Sequence, residues 1–283
     1  MRTLLIAAAL ILAIATDAAA CLQTYGTDLH SHRKDFEGLT GDALVELLLA
    51  HQSHREWEQT AARLAERLKT NPTIEDRNDY AVALVHLGRV LEALGMLRKI
   101  EAEQPGRYET AANLGTALEL SGDDRGALRW IREGLRRNMK EHYGTEWLHV
   151  RILEAKLARA RDPKWLERHS VAGTDFGSAA KPVLPRQLPA GNDGLPVTAK
   201  ELSEAFNYQL SERLQFVAAP EPIVADLLFD WGSLLALTEV VESADAVYTL
   251  AEKYQPVRRE LFEKRRALMK GTLKRATWRR ESR

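Results

Sequence analysis

The sequence predicts an all-α protein built from stacked helix pairs, and two observations carry that reading. Aligning the chain with itself brings out a period of 34 residues, the length of two short helices with their turns. Within each period, small side chains recur where two helices cross and a glycine or proline recurs where a helix stops. The composition agrees. With 45% apolar and 28% charged residues, the chain is ordinary globular material, not a mainly disordered, collagen-like or multi-span membrane protein.

In chain order, residues 1–20 read as a secretory signal peptide: Met1-Arg2-Thr3, an uninterrupted apolar run from Leu4 to Ala15, and a small-residue exit at Ala18-Ala19-Ala20. The run is shorter than the ~20 residues a membrane-spanning helix needs. Cleavage after Ala20 makes Cys21 the first residue, in a setting that resembles a bacterial lipobox with Ala18 where leucine is commonest. Acylation of Cys21 and a plain thiol left by ordinary cleavage are the two readings. Both place the chain in the periplasm or cell envelope. A single cysteine excludes an internal disulfide framework and a Cys-based zinc site.

Residues 21–40 form a lead-in, and residues 41–160 hold three repeats and an extra helix. The clearest copy is Tyr108 to Glu141: a helix through Leu114-Gly115 and Leu118, a break at Ser121-Gly122-Asp123, then a helix through Ala127, Ile131 and Gly134. Ile74 to Arg107 aligns without a gap through Tyr80-Ala81, Leu84, Gly88, Ala93, Leu97, Ile100 and Pro105. Gly41 to Thr73 is one residue short, with Leu44, Leu47-Leu48, Thr60-Ala61, Leu64 and Pro72 in place. Far downstream, Ala225 to Arg258 repeats the columns with Trp231-Gly232, Leu235, Ala244, Tyr248, Ala251 and Pro256.

This pattern resembles the tetratricopeptide repeat. The resemblance implies a right-handed α-solenoid of helix-turn-helix pairs, with first helices lining a concave groove that holds extended segments of other proteins.

After the third copy, His142 to Arg159 has the spacing of another first helix, but its partner does not follow. Residues 161–198 are rich in proline and glycine and read as an irregular insertion. Thr198-Ala199-Lys200-Glu201 is a capping box opening a helix through Leu202, Phe206, Leu210 and Leu214, the displaced second helix. Residues 199–258 thus comprise that helix and the fourth repeat.

The groove positions implied by the resemblance are Val45 and Leu49; Asn78, Val82 and Val85; Glu109, Ala112, Thr116 and Glu119; and Tyr143, Glu146 and Val150. A clamp for an acidic peptide tail needs Lys, Arg and Asn there, and only Asn78 is present. The apolar and acidic lining suits a protein or peptide segment that is neutral or basic with apolar side chains. Ala179 to Ala190 of the insertion has that character and is a second candidate occupant; otherwise it is a plain surface loop.

Residues 259–283 read as a basic C-terminal capping helix. From Val257 onward there are eleven Lys or Arg against three Glu. Leu261, Phe262, Leu268, Met269 and Leu273 supply an apolar stripe. An alternative is a structural subunit docked by this helix on an anionic membrane surface or acidic partner. An exported protein gives no reason to expect nucleic acid.

No GxSxG, GxxxxGK, GxGxxG, HExxH or CxxCH occurs, so no catalytic role and no cofactor is expected. A further alternative is a metal protein or enzyme using Asp28, His30, His32, Asp35, His51 and His54 with the insertion. These residues supply no three or four groups known to converge, so no metal site is assigned.

Overall fold

The computed structural model describes residues 25–140 and 142–278. The leader and Cys21 lie outside them. The described chain is mostly helical, with one short antiparallel hairpin of β1 (Tyr25–Thr27) and β2 (Arg33–Asp35). The helices are α1 (Asp42–Leu49), α2 (His54–Arg67), α3 (Ile74–His86), α4 (Val90–Glu103), α5 (Tyr108–Leu120), α6 (Asp124–Arg137), α7 (Glu146–Arg161), α8 (Trp165–Arg168), α9 (Ala199–Leu214), α10 (Pro222–Thr238), α11 (Val241–Tyr254) and α12 (Arg259–Arg275). No helix among the described residues is long and apolar enough to cross a membrane.

Local chemistry sets the boundaries. Ser53, Thr73 and Thr198 each close a capping box, with Glu56, Asp76 and Glu201, so the first N–H groups of α2, α3 and α9 are satisfied. Pro222 opens α10, where a missing N–H costs nothing, and Glu221 caps it. Pro72, Pro105 and Pro256 follow the ends of α2, α4 and α11.

Helices α3 and α4, α5 and α6, and α10 and α11 pack as pairs. Neighbouring pairs touch through α2 on α3, α4 on α5 and α6 on α7, and α9 lies against both α7 and α10. The small residues mark the close approaches. A methyl group at Gly115 would stand 2.4 Å from Ile131 of α6, and one at Gly232 2.6 Å from the Tyr248 ring of α11. Ala81, Ala93, Ala127 and Ala244 are buried completely. The apolar interior forms one cluster across α3 to α7 and a larger one across α7 to α12.

Three features depart from the sequence reading. First, α1 does not form a hairpin with α2: it packs against α9 and α11, and Leu48 joins the larger core. The preceding β-hairpin makes the same choice. Thr27 donates its N–H and hydroxyl to Glu242 at 2.9 and 2.7 Å, and Lys34 Nζ donates to the Thr238 and Glu239 carbonyls at the end of α10. The 41–73 copy is therefore split, one helix joining each half of the molecule.

Second, the insertion is irregular but firmly held. Asp226 accepts the Val171 N–H at 2.8 Å, Asp230 accepts the Thr174 hydroxyl at 2.6 Å, and Arg258 bridges both carboxylates at 2.7 and 2.9 Å. Third, Arg265 of α12 does not belong to a solvated basic face. It is 1% exposed and donates to Ser233 and to the Phe176 and Gly177 carbonyls. An arginine placed at helical spacing between Phe262 and Met269 points inward with them.

Candidate functional site

Between α3, α5 and α7 on one side and α9 on the other lies a cavity of about 150 Å³. Valines 82 and 85 from α3, Ala112 and Thr116 from α5, and Phe216 just beyond α9 form much of its wall. Its polar part comes from Glu119, His142, Glu146, His149, Tyr208, Gln209, Glu212 and Arg213.

A buried ion network underlies this polar part. Glu119, at the end of α5, receives Arg213 Nη1 and Nη2 at 2.7 and 3.1 Å, His149 Nε2 at 2.9 Å and Lys156 Nζ at 3.1 Å. Burial alone would raise the Glu119 carboxyl, but Arg213 and His149 hold it well below the usual carboxylate range. Burial pulls the His149 imidazole down, yet the carboxylates of Glu119 and Glu146 overcome it and lift the group to about 9. His149 is thus a buried cation at neutral pH. Glu146 shows the reverse balance: burial raises it, and His142 and His149 hold it near about 2.

His142 enters the site through an unusual backbone. His142 and Tyr143 have φ of 49° and 55°, the left-handed region that costs a non-glycine residue about 1–2 kcal/mol. This turn brings His142 Nδ1 to the Tyr108 hydroxyl at 2.8 Å and to Glu146 Oε1, with its ring 5.4 Å from that of Tyr208. At the opposite end, His86 is sandwiched between Trp57 and Phe216, with ring centroids 3.7 and 4.7 Å away. Burial, with a smaller contribution from His51, pushes His86 down to about 4, so this imidazole is neutral.

Of the residues expected in the groove, Val82, Val85, Ala112, Thr116, Glu119 and Glu146 line the cavity. The others do not. Val45 packs into the larger core and Leu49 is exposed, because α1 sits against α9 and α11. Asn78 is buried away from the cavity, Val150 packs on the smaller core, and Glu109 faces Arg107 at 3.8 Å. Tyr143 is 86% exposed, beside the mouth, with its ring edge-on to Tyr208 at 5.8 Å.

None of residues 179–190 lines the cavity. The insertion is tied instead to α10 and α12, and α9 supplies the wall facing α3, α5 and α7. What sequence reasoning missed is the second stripe of α9. Tyr208, Gln209, Glu212, Arg213 and Phe216 recur at three- and four-residue steps beside the core stripe of Leu202, Phe206, Leu210 and Leu214. A polar and aromatic stripe adjoining an apolar one is the signature of a helix buried on two faces, and that signal was readable.

Asp28 accepts the N–H groups of His30 and His32 at 2.8 and 2.9 Å, closing the turn between β1 and β2. Among the described residues no group of three ligating side chains is placed to hold a metal ion. Comparison of the chain with family models and with curated proteins found no match.

Proposed function

We propose that this chain is a non-catalytic adaptor of the bacterial cell envelope, a tetratricopeptide-like right-handed solenoid that grips a short partner segment on its inner face. The observation that carries this reading is the cavity itself. Inner positions of three successive first helices converge on one opening, and polar groups with shifted titration lie beside apolar walls, the arrangement expected of a binding site. With α9 across the groove, the site takes one or two side chains and not a long extended peptide.

The leader-like residues 1–20 and Cys21, outside the described residues, support export and attachment to an envelope membrane. A photoactivatable amino acid at Thr116, inside the cavity, tests the reading in envelope extract. A discrete cross-linked partner is expected, and Val82→Lys should abolish it by placing a charged stem across the opening. Absence of any adduct, or an adduct unchanged by Val82→Lys, would overturn the proposal.

A further inference from the structure

The cavity contains a buried carboxylate oxygen that accepts no hydrogen bond and has only a longer ion pair with His149. Glu146 is 4% exposed and lines the space; its Oε1 meets His142, while its Oε2 has no hydrogen-bond partner and stands 3.7 Å from His149 Nδ1. A buried carboxylate oxygen in this position has room for a donor that a ligand supplies. Beside it at the mouth stands Glu212 of α9. Burial raises this carboxyl and the charge of Glu146 adds to the rise, opposed by His142. No Lys or Arg among the described residues is paired with it. The cations nearby are already paired: Arg213 spends both terminal nitrogens on Glu119, Lys156 bridges Glu119 and Asp124 at 3.1 and 2.6 Å, and His149 lies between Glu119 at 2.9 Å and Glu146 at 3.7 Å.

Negative charge therefore faces the open space. The opposite wall of Val82, Val85 and Phe216 is apolar. A volume of about 150 Å³ is that of a benzene-sized guest and also admits a short unbranched alkyl chain.

We infer that the cavity binds an alkylammonium group, with its nitrogen between Glu146 Oε2 and the Glu212 carboxylate and its stem along Val82, Val85 and Phe216. This rests on the adaptor reading and names the chemistry of what the adaptor holds. The ammonium belongs to a lysine side chain or to a small free amine. Anionic ligands would confront the two acceptors with no uncommitted cation to offset them.

The test is calorimetric titration of the full chain with n-butylammonium and with lysine blocked at both backbone ends, each against a neutral probe of equal shape, 1-butanol and blocked norleucine. The ammonium probes should bind and the neutral ones should not. Glu212→Gln, at the mouth and with an unchanged melting temperature, should weaken binding by about tenfold, the scale of one charge-assisted hydrogen bond. Tighter binding of blocked lysine assigns the group to a protein side chain, and tighter binding of butylammonium assigns it to a free amine. Equal binding of the neutral probes, no binding of either ammonium, or no effect of Glu212→Gln would overturn the inference. Should that happen while Val82→Lys still abolishes the Thr116 cross-link, the adaptor reading stands without it. Ammonium binding with no cross-link removes the adaptor reading instead.

Discussion

Single residues set both the closeness of the helices and the pH range of the fold. Gly232 lets α10 approach the Tyr248 ring, whose hydroxyl is held by Ser233 at 3.0 Å and so cannot swing aside freely. Gly232→Ala should lower stability by about 1–3 kcal/mol, because overpacking exceeds the roughly 0.5–1 kcal/mol that alanine gains over glycine in a helix. Denaturant unfolding measures it. The titrating groups predict an alkaline weakness. His149 is raised from 6.5 to about 9, so its contribution is complete below pH 6.5 and disappears as pH rises through about 9. Asp226, buried beside Asp230, is raised to about 7, so its ionisation also costs stability as pH rises from about 4 through about 7. Glu119 and Glu146 are depressed, and their contribution fades only as pH falls below the usual carboxylate range. Stability measured against pH should therefore peak on the mildly acidic side, and His149→Gln should remove the part of the decline between pH 6.5 and 9.

At the scale of elements, the helices were legible wherever caps, breakers and apolar period agreed. Thr198 with Glu201 announced α9, and the small column at Gly115 and Gly232 announced the helix contacts. What was not legible is choice of neighbour. Leu44, Leu47 and Leu48 give α1 an apolar stripe, but a stripe does not say which surface it will meet, and here that surface is α9 and α11. Nor does an arginine count reveal burial: Arg265 is inward because three carbonyls and a hydroxyl of the insertion and α10 await it. Six of the twelve positions expected in a groove, Val82, Val85, Ala112, Thr116, Glu119 and Glu146, line the cavity. They stand on α3, α5 and α7, whereas α9 is brought to the cavity through tertiary packing and an Arg213–Glu119 pair 94 residues apart. Arg265→Leu keeps the apolar packing of α12 but strips these carbonyls of their donor. It should cost about 2–3 kcal/mol and expose the 177–195 segment to proteolysis before the helices yield. Cleavage mapped by mass spectrometry checks this.

For the whole molecule, the path of the chain matters most. Residues 25–49 fold onto α9 to α12, then the chain crosses to start the α2 to α7 row, which returns through α7 to α9. Removing residues 25–49 should therefore speed amide exchange in α10 to α12 and leave α4 to α6 nearly unchanged; equal acceleration everywhere would contradict this connectivity. Phe216, just beyond α9, meets His86 at the end of α3 and closes one end of the cavity. Under the proposed function, that closure restricts the site to a short group. It is tested most directly by placing cysteines at His86 and Phe216 in a Cys21→Ser background and treating the folded protein with a short bifunctional thiol reagent. The account predicts rapid intramolecular cross-linking, with entry of an alkylammonium probe lost in the bridged product. Two separate single adducts, with no bridge formed, would contradict it.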